Sequence, residues 1–204
     1  MPLVPLARPS NFSYPIRMMR LLAVCSLVCF IGCSESAPPP TPAGVLTPEF
    51  NQIKGLWFDI QHLPHELQKD CRDTATLLRQ PSESPTELEF IFECRQPDEL
   101  WYSVEGHASP HEQDAKLLDF RFENGLVDEA VSLRYWVFDA DPEFSQWMVV
   151  GYPSENWLWF LSRSTTLDSA IIEETIDKLV EAGHYTRSNL ESQLIKTDQS
   201  YGTK

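Results

Sequence analysis

The sequence predicts an all-β protein: an eight-stranded antiparallel up-and-down β-barrel with a C-terminal α-helix packed on the outside. The first observation is a series of eight short strand-like segments between residues 55 and 163, uninterrupted by any long helical pattern. The second is that most connections are short and rich in turn residues, which favours antiparallel pairing of neighbours. The third is an amphipathic pattern at helical spacing, which follows the last strand.

Turn residues divide the eight predicted strands from one another. The strands cover residues 55–63, 73–80, 86–95, 99–108, 115–123, 131–139, 144–152 and 155–163. The connections contain Pro81 to Pro85, Gln96-Pro97-Asp98, Ser109-Pro110-His111, Asn124-Gly125, Asp141-Pro142 and Pro153 to Asn156. Closely spaced turns between eight strands favour a closed meander.

The first strand, which ends at Pro64, sets the expected interior of the barrel. Because side chains alternate across a strand, one set is predicted to face inward: Trp57, Asp59 and Gln61. We expect Trp57 to close the floor of the barrel, with Gly55 leaving room for close backbone approach. Arg163, at the end of the eighth strand, is its predicted partner, because a guanidinium stacks well on an indole face.

Apolar alternation in strands 86–95 and 115–123 marks two further inward faces: Leu88, Phe90, Phe92, Cys94, Leu118, Phe120 and Phe122. Seven aromatic residues are predicted to line an apolar ligand pocket: Phe90, Phe92, Trp101, Phe120, Phe122, Trp157 and Trp159. A filled core remains the alternative, because an eight-stranded barrel is just wide enough for either.

Both faces of strand 155–163 carry large apolar side chains, so an element must cover it from outside. The predicted cover is a helix from about Ser169 to Ala182, capped by Asp168 and ended by Gly183. Its apolar stripe comprises Ile172, Ile176, Leu179 and Val180. The barrel and helix together are assigned to residues 49–190, followed by a polar tail, 191–204, which we expect to be loosely attached.

The N-terminus carries the features of an exported protein. Arg17 and Arg20 precede an apolar run, residues 21–31, which is too short for a bilayer span of roughly 20 residues but typical of a signal peptide. Residues 1–32 are therefore predicted to be removed. The start codon remains open between Met1 and Met18 or Met19.

Phe30-Ile31-Gly32-Cys33 resembles a bacterial lipobox. This resemblance implies cleavage before Cys33 and its acylation, for example with palmitate, which would anchor the protein to a membrane. The residue after the cysteine is Ser34, and the absence of Asp there resembles the sorting signal of outer-membrane lipoproteins. An ordinary signal peptide cut nearby is the alternative. Residues 33–48, which are rich in proline, are predicted to be an extended tether.

Charge excludes some partners. The formal net charge is −14, and removal of residues 1–32 leaves 13 basic and 30 acidic residues, or −17. An acidic surface argues against binding to nucleic acid and against simple electrostatic docking on anionic lipid. It also disfavours a free fatty acid as ligand and suits a zwitterionic or cationic head group.

Two of the five cysteines, Cys71 and Cys94, remain after export and acylation. If the intervening hairpin folds about its middle, they lie nearly opposite each other across the ladder, so a disulfide is predicted. Two free thiols are the alternative.

No catalytic or metal motif stands out. His62 and His65 lack a clear third ligand, no zinc-protease or paired-cysteine pattern is present, and Ser162 and Ser164 lack a nucleophile elbow. No Gly-rich phosphate loop is present either. We therefore expect no metal, no cofactor and no enzymatic activity.

Three ordered motifs resemble the signatures of the lipocalin family. They are Gly55-Leu56-Trp57 with Leu63-Pro64, then Tyr135-Trp136-Val137-Phe138-Asp139 with Val149-Val150-Gly151, and finally Trp157-Leu158-Trp159-Phe160-Leu161-Ser162-Arg163. The resemblance spans roughly Phe50 to Leu190. Glu105-Gly106-His107-Ala108 and the C-terminal helix are similar to the bacterial subgroup.

The resemblance implies a barrel with one open mouth and a cavity for an apolar ligand. For the membrane-anchored bacterial subgroup it implies binding or transport of fatty acids or lysophospholipids for envelope maintenance, at the outer membrane and facing the periplasm. A homodimer remains open. The alternatives are an isomerase-type enzyme acting on a bound lipophile, and an interaction module with a filled barrel. Acidic residues 124–134 and the Asp141-Pro142 turn depart from the family pattern, and we expect both near the mouth.

Overall fold

In the computed structural model, which describes residues 37–81, 83–123 and 133–200, eight antiparallel strands close into a barrel. Each strand pairs with the next along the chain, and β8 pairs back with β1. The predicted fold is therefore confirmed. The strands are β1 (Gly55–His62), β2 (Asp73–Arg79), β3 (Leu88–Arg95), β4 (Trp101–His111), β5 (Asp114–Phe122), β6 (Leu133–Ala140), β7 (Trp147–Tyr152) and β8 (Trp157–Ser162).

Helices cover one side and one end of the barrel. They are α1 (Phe50–Ile53), α2 (Ser169–Glu181) and α3 (Arg187–Gln193), with two 3-10 turns at Glu66–Gln68 and Pro153–Glu155. Asp168 caps α2 by accepting a hydrogen bond from the Ala170 amide at 2.9 Å, as the sequence predicts. The apolar stripe of α2 packs on the outward side chains of β8, Leu158 and Phe160. No helix among the described residues is long and apolar enough to cross a membrane.

The predicted turn at Ser109-Pro110-His111 is wrong. These residues belong to β4, and the chain reverses at residues 112–113. Pro110 is exposed and lies where the register with β5 shifts. A proline cannot donate to the ladder, and such an irregularity is one of the few strand positions that tolerate it.

The inward set predicted for β1 is corrected at one position. Trp57 and Asp59 face the interior as expected, but the register shifts between Asp59 and Gln61. As a result His62, and not Gln61, lies on the same side of the strand as Asp59. Its Nδ1 is 2.8 Å from the Asp59 carboxylate. Alternation alone cannot locate such a bulge.

The polar tail is not loosely attached. A short strand, β9 (Ile195–Lys196), pairs with the end of β1, and the Thr197 amide donates to the Ile60 carbonyl at 3.0 Å. β2 pairs with β1 only over residues 55–58. On that side, the backbone groups in the second half of β1 therefore need another partner. The tail fills the resulting gap, which we term the β1–β2 seam. Residues 201–204 lie outside the described part of the chain.

The predicted tether also contacts the barrel. Val45 packs against Trp136 and Tyr152 on the outer surface, and the Leu46 amide donates to the Val137 carbonyl at 2.8 Å. Proline content suggests an extended chain, but the apolar pair that follows the prolines gains by burial. Cys33, the other residues of the tether up to 36, and the signal segment 1–32 lie outside the described residues.

The floor is the closed end of the barrel, and its predicted contact is present. The Arg163 guanidinium carbon lies 3.5 Å from the centroid of the Trp57 ring. Arg163 also donates to the carbonyls of Leu56 and Gln52, at 3.1 and 3.2 Å. Gly55 has a φ of +106°, and a Cβ there would meet the Arg163 Nη1 at 2.9 Å. Glycine is therefore needed both for its backbone conformation and for room.

The Asp141-Pro142 turn lies at the floor and not, as predicted, near the mouth. It joins the ends of β6 and β7, and the Arg163 amide donates to the Gln146 carbonyl at 2.7 Å. Burial raises the pKa of Asp141, but hydrogen bonds from Trp147, Gln146 and Ser145 outweigh it and lower the pKa to about 2. The departure from the family pattern is thus structural and remote from the ligand entrance.

We expect Arg163→Ala to lower the free energy of unfolding by about 2 to 4 kcal/mol, because it removes the indole contact and two hydrogen bonds. Arg163→Lys, which keeps a charge but lacks the planar fork, is expected to recover only part of this loss. Chemical denaturation measures both. Unfolding transitions of Arg163→Ala that coincide with wild type would contradict a stabilising floor, and a changed ligand preference would contradict a purely structural role.

Candidate ligand cavity

A narrow cavity of about 70 Å³ lies inside the barrel above Trp57. Its wall is mostly aromatic and aliphatic. Five of the residues predicted for a ligand pocket lie on it: Phe90, Phe92, Phe120, Phe122 and Trp159. The rings of Phe90 and Phe120 lie 5.2 Å apart, and Phe120 lies 4.6 Å from Tyr135, so one side of the cavity is a continuous aromatic surface.

Two predicted pocket residues lie elsewhere. Trp101 is 37% exposed, because the inward positions of β4 are the even-numbered ones, such as Val104 and Ala108. Trp157 has the same parity as Trp159, but it stands at the start of β8, where it borders a wider groove at the mouth. Aromatic identity alone therefore misassigns positions at strand ends.

Sequence reasoning missed several lining residues: Leu78, Leu133, Tyr135, Met148, Val150 and Leu161. The alternation of side chains along a strand could have identified them, since every second residue of β6, namely Leu133, Tyr135 and Val137, lies on the same face. The prediction considered only aromatic side chains and did not include those of the motif Tyr135-Trp136-Val137-Phe138-Asp139. The six lining residues were therefore left out. Burial raises the pKa of the Tyr135 phenol above its usual range, so this side chain stays neutral.

One polar cluster interrupts the apolar wall, and it centres on Asp59. The Asp59 Oδ2 accepts hydrogen bonds from Gln68 Nε2 at 2.5 Å and Thr74 Oγ1 at 3.1 Å, and it lies 2.8 Å from His62 Nδ1. Gln68 in turn accepts from the Trp159 indole at 2.5 Å. Asp59 is 3% exposed, so these donors replace the water that the carboxylate would otherwise bind.

The 3-10 turn after β1 stands between the cavity and the mouth. His65, Leu67 and Gln68 border both the cavity and the groove outside it. A disulfide between Cys71 and Cys94 ties the end of this connection to β3, as predicted. Its detailed position differs, because the ladder partner of Cys94 is Thr74 and Cys71 lies just before β2. The disulfide therefore restrains the segment that borders the mouth.

His65 lies between two tryptophans at this border. Its ring centroid is 4.9 Å from that of Trp157 and 5.4 Å from that of Trp159. Removal from water, together with the nearby His62, lowers the pKa of His65 to about 4. The imidazole is therefore neutral at pH 7. No lysine or arginine among the described residues lines the cavity, so its wall carries no cation at that pH.

The histidines considered for a metal do not converge. His62 turns to the Asp59 carboxylate, while His65 packs against the tryptophans. Within the part of the chain that the structure describes, no group of three or more His, Cys, Asp or Glu side chains is placed to hold a metal ion. The acidic departure at 124–134 falls mostly on residues 124–132, which lie outside that part.

Comparisons with known proteins agree with this architecture. Residues 49–194 match the family model for the lipocalin-like domain. The chain is 31% identical over 159 residues to temperature-induced lipocalin-1 of Arabidopsis thaliana, covering 72% of this chain and 76% of that protein. It is 23% identical over 175 residues to the outer membrane lipoprotein Blc of Vibrio cholerae, covering 81% and 92%.

Solved structures show the same fold at low identity. Insecticyanin from the tobacco hornworm Manduca sexta matches with a TM-score of 0.61 and 16% identity, over 82% of this chain and 89% of that one. Lobster apocrustacyanin A1 matches with a TM-score of 0.57 and 14% identity, over 76% and 83%. The barrel is thus shared with proteins whose sequences have diverged widely.

We expect the buried His65 to make stability depend on pH. Its pKa rises from about 4 when folded to the usual 6.5 when unfolded, so between these values the unfolded state binds the extra proton. Stability should therefore fall as pH falls through this window, by up to about 1.4 kcal/mol per pH unit, and level off below it.

Denaturation of wild type and His65→Gln at several pH values between 7 and 4 measures this dependence. The variant should show a shallower decline, and the difference in slope isolates His65 from the carboxylates that titrate in both proteins. Parallel curves for the two proteins would contradict a neutral, buried imidazole.

Proposed function

This chain belongs to the lipocalin-like domain family, and from that membership we propose that it holds or carries a lipid in its barrel, without catalysis. The observation that carries the proposal is the form of the cavity. It is closed below by Trp57 and lined by aromatic and aliphatic side chains, and it borders a groove at the mouth. A space of this kind excludes water from an apolar chain along its length.

An acyl chain suits a narrow cavity of this composition. Each buried CH₂ group contributes about 0.8 kcal/mol, so a long chain needs few polar contacts to bind. The proposed ligands are fatty acids or lysophospholipids, and the proposed role is their binding or transport in maintenance of the cell envelope. Similarity to a protein named as an outer membrane lipoprotein supports this assignment.

We further propose that the protein is acylated on Cys33 and faces the periplasm from the outer membrane. The support is the lipobox-like Phe30-Ile31-Gly32-Cys33 after an apolar run, together with the similarity to Blc. The disulfide between Cys71 and Cys94 agrees with export, because such bonds persist in oxidising compartments. It also leaves neither cysteine of the described residues as a free nucleophile, which weighs against the isomerase alternative.

Native mass spectrometry of freshly purified protein tests whether the cavity holds a lipid. We expect a co-purified small molecule in wild type and its loss in Leu133→Trp, because Leu133 lines the cavity at the start of β6 and an indole there would fill the space. Displacement of a fluorescent fatty acid should show at least a tenfold weaker affinity.

Leu100→Trp is the matched control, because Leu100 is 62% exposed outside the cavity and should tolerate the same substitution. A wild-type protein with no bound molecule and no affinity for lipid would support the filled-barrel alternative. Equal affinities of Leu133→Trp and wild type would place the ligand elsewhere.

Membrane attachment is tested separately with Cys33→Ala. We expect this variant to lose incorporation of labelled palmitate and to move from the membrane fraction to the soluble fraction. Cys71→Ala serves as the control for loss of a cysteine elsewhere. Labelling of Cys33→Ala at the wild-type level would overturn the lipobox assignment and leave the cavity proposal intact.

A further inference from the structure

The Asp59 carboxylate has one oxygen without a partner. Its Oδ1 is buried and accepts no hydrogen bond from any residue that the structure describes, although Asp59 is 3% exposed and lies on the cavity wall. Buried carboxylate oxygens are normally paired, because burial removes the water that would otherwise solvate them. The unpaired oxygen therefore marks a position where a donor is missing.

The carboxylate is not free to turn and share its existing donors. Gln68 and Thr74 both donate to the other oxygen, Oδ2, which also lies 2.8 Å from His62 Nδ1. Gln68 is itself fixed, since its side-chain carbonyl accepts from the Trp159 indole. Contacts from three different segments hold the group in one orientation, which leaves Oδ1 as the remaining acceptor.

The surroundings favour a particular ligand chemistry. No lysine or arginine among the described residues lines the cavity, and most of the wall beyond Asp59 is apolar. A ligand that ends in a carboxylate would bring a second set of acceptors to a group whose own acceptor already lacks a donor. A hydroxyl or an ammonium group supplies the donor that Oδ1 lacks.

We propose that Asp59 is a specificity-determining residue whose Oδ1 accepts a hydrogen bond from a hydroxyl or ammonium group on an elongated apolar ligand. The proposal rests on the proposed lipid-binding function and deepens it by assigning the polar group of the ligand. A site built to pair with a donor rejects an analogue that lacks one, because a buried acceptor is then left unsatisfied. Among lipids that fit the cavity, Asp59 thereby ranks those with such a donor above ionised fatty acids of the same chain length.

Four ligands with the same chain test the proposal: dodecylamine, dodecanol, methyl dodecanoate and dodecanoate. Each is titrated below its micelle-forming concentration against the delipidated full-length protein, by displacement of a neutral fluorescent lipid. We expect the amine and the alcohol to bind at least tenfold tighter than the methyl ester and the acid. The methyl ester separates loss of the donor from addition of a negative charge.

Asp59→Asn keeps the shape of the side chain and replaces one of its two acceptor oxygens with an NH₂ donor. We expect the advantage of dodecylamine over the methyl ester to fall at least tenfold and the affinity for dodecanoate to rise. Thr76→Val is the matched control, because Thr76 also lines the cavity but is not among the residues that hydrogen-bond to Asp59. It should leave the ligand order unchanged.

If Asp59→Asn does not fold, the ligand order of the wild-type protein still decides. Equal binding of all four ligands, or a preference for dodecanoate, overturns the role of Asp59 while leaving lipid binding in place. The same change of preference in Thr76→Val would overturn it as well. Failure of all four ligands, and of longer-chain lipids, would count against the proposed function instead.

Discussion

The contact between Arg163 and Trp57 makes the barrel a closed vessel at one end. Strand β1 and the end of β8 meet there, and the Arg163 guanidinium joins them by stacking on the Trp57 indole. The contact is so close that a side chain at Gly55 would clash with Arg163. Burial lowers the pKa of Arg163 to about 10, opposed by the nearby Asp141, so the guanidinium keeps its charge at neutral pH. Every property of the cavity above follows from this closure, because an open end would admit water to the aromatic wall.

Strand β1 contributes both to the floor of the barrel and to the polar cluster of the cavity. Its first half carries the tryptophan of the floor, and its second half carries the carboxylate of the polar cluster. The bulge after Asp59 separates the halves and brings His62 to the same side as the carboxylate. The floor contact and the polar cluster thus both depend on these eight consecutive residues, whose opposite face packs through Phe58 and Ile60 against Ala75 and Leu167.

Much of this architecture is visible in the sequence, because local alternation and turn chemistry carry it. The eight strands, the capped helix, the floor pair and the disulfide all follow from residue types at readable spacings. What could not be predicted depends on backbone groups that meet across long separations. The bulge in β1, the strand formed by Ile195–Lys196 and the packing of Val45 each satisfy a local need of the barrel that no pattern in their own segments reveals. Trp101 was misplaced for a related reason, since its direction depends on the parity of β4 and not on its aromatic ring.

The tail within the β1–β2 seam has a consequence for the order of assembly. Gln199 donates to the carbonyls of Asp59 and Thr74, and Ser200 bonds to Asp73, so the upper wall depends on residues near the C-terminus. Synthesis from the N-terminus delivers these residues after all eight barrel strands. The wall around the polar cluster is therefore completed only after all eight strands have been made, and a chain that ends before Gln199 would expose unpaired strand edges.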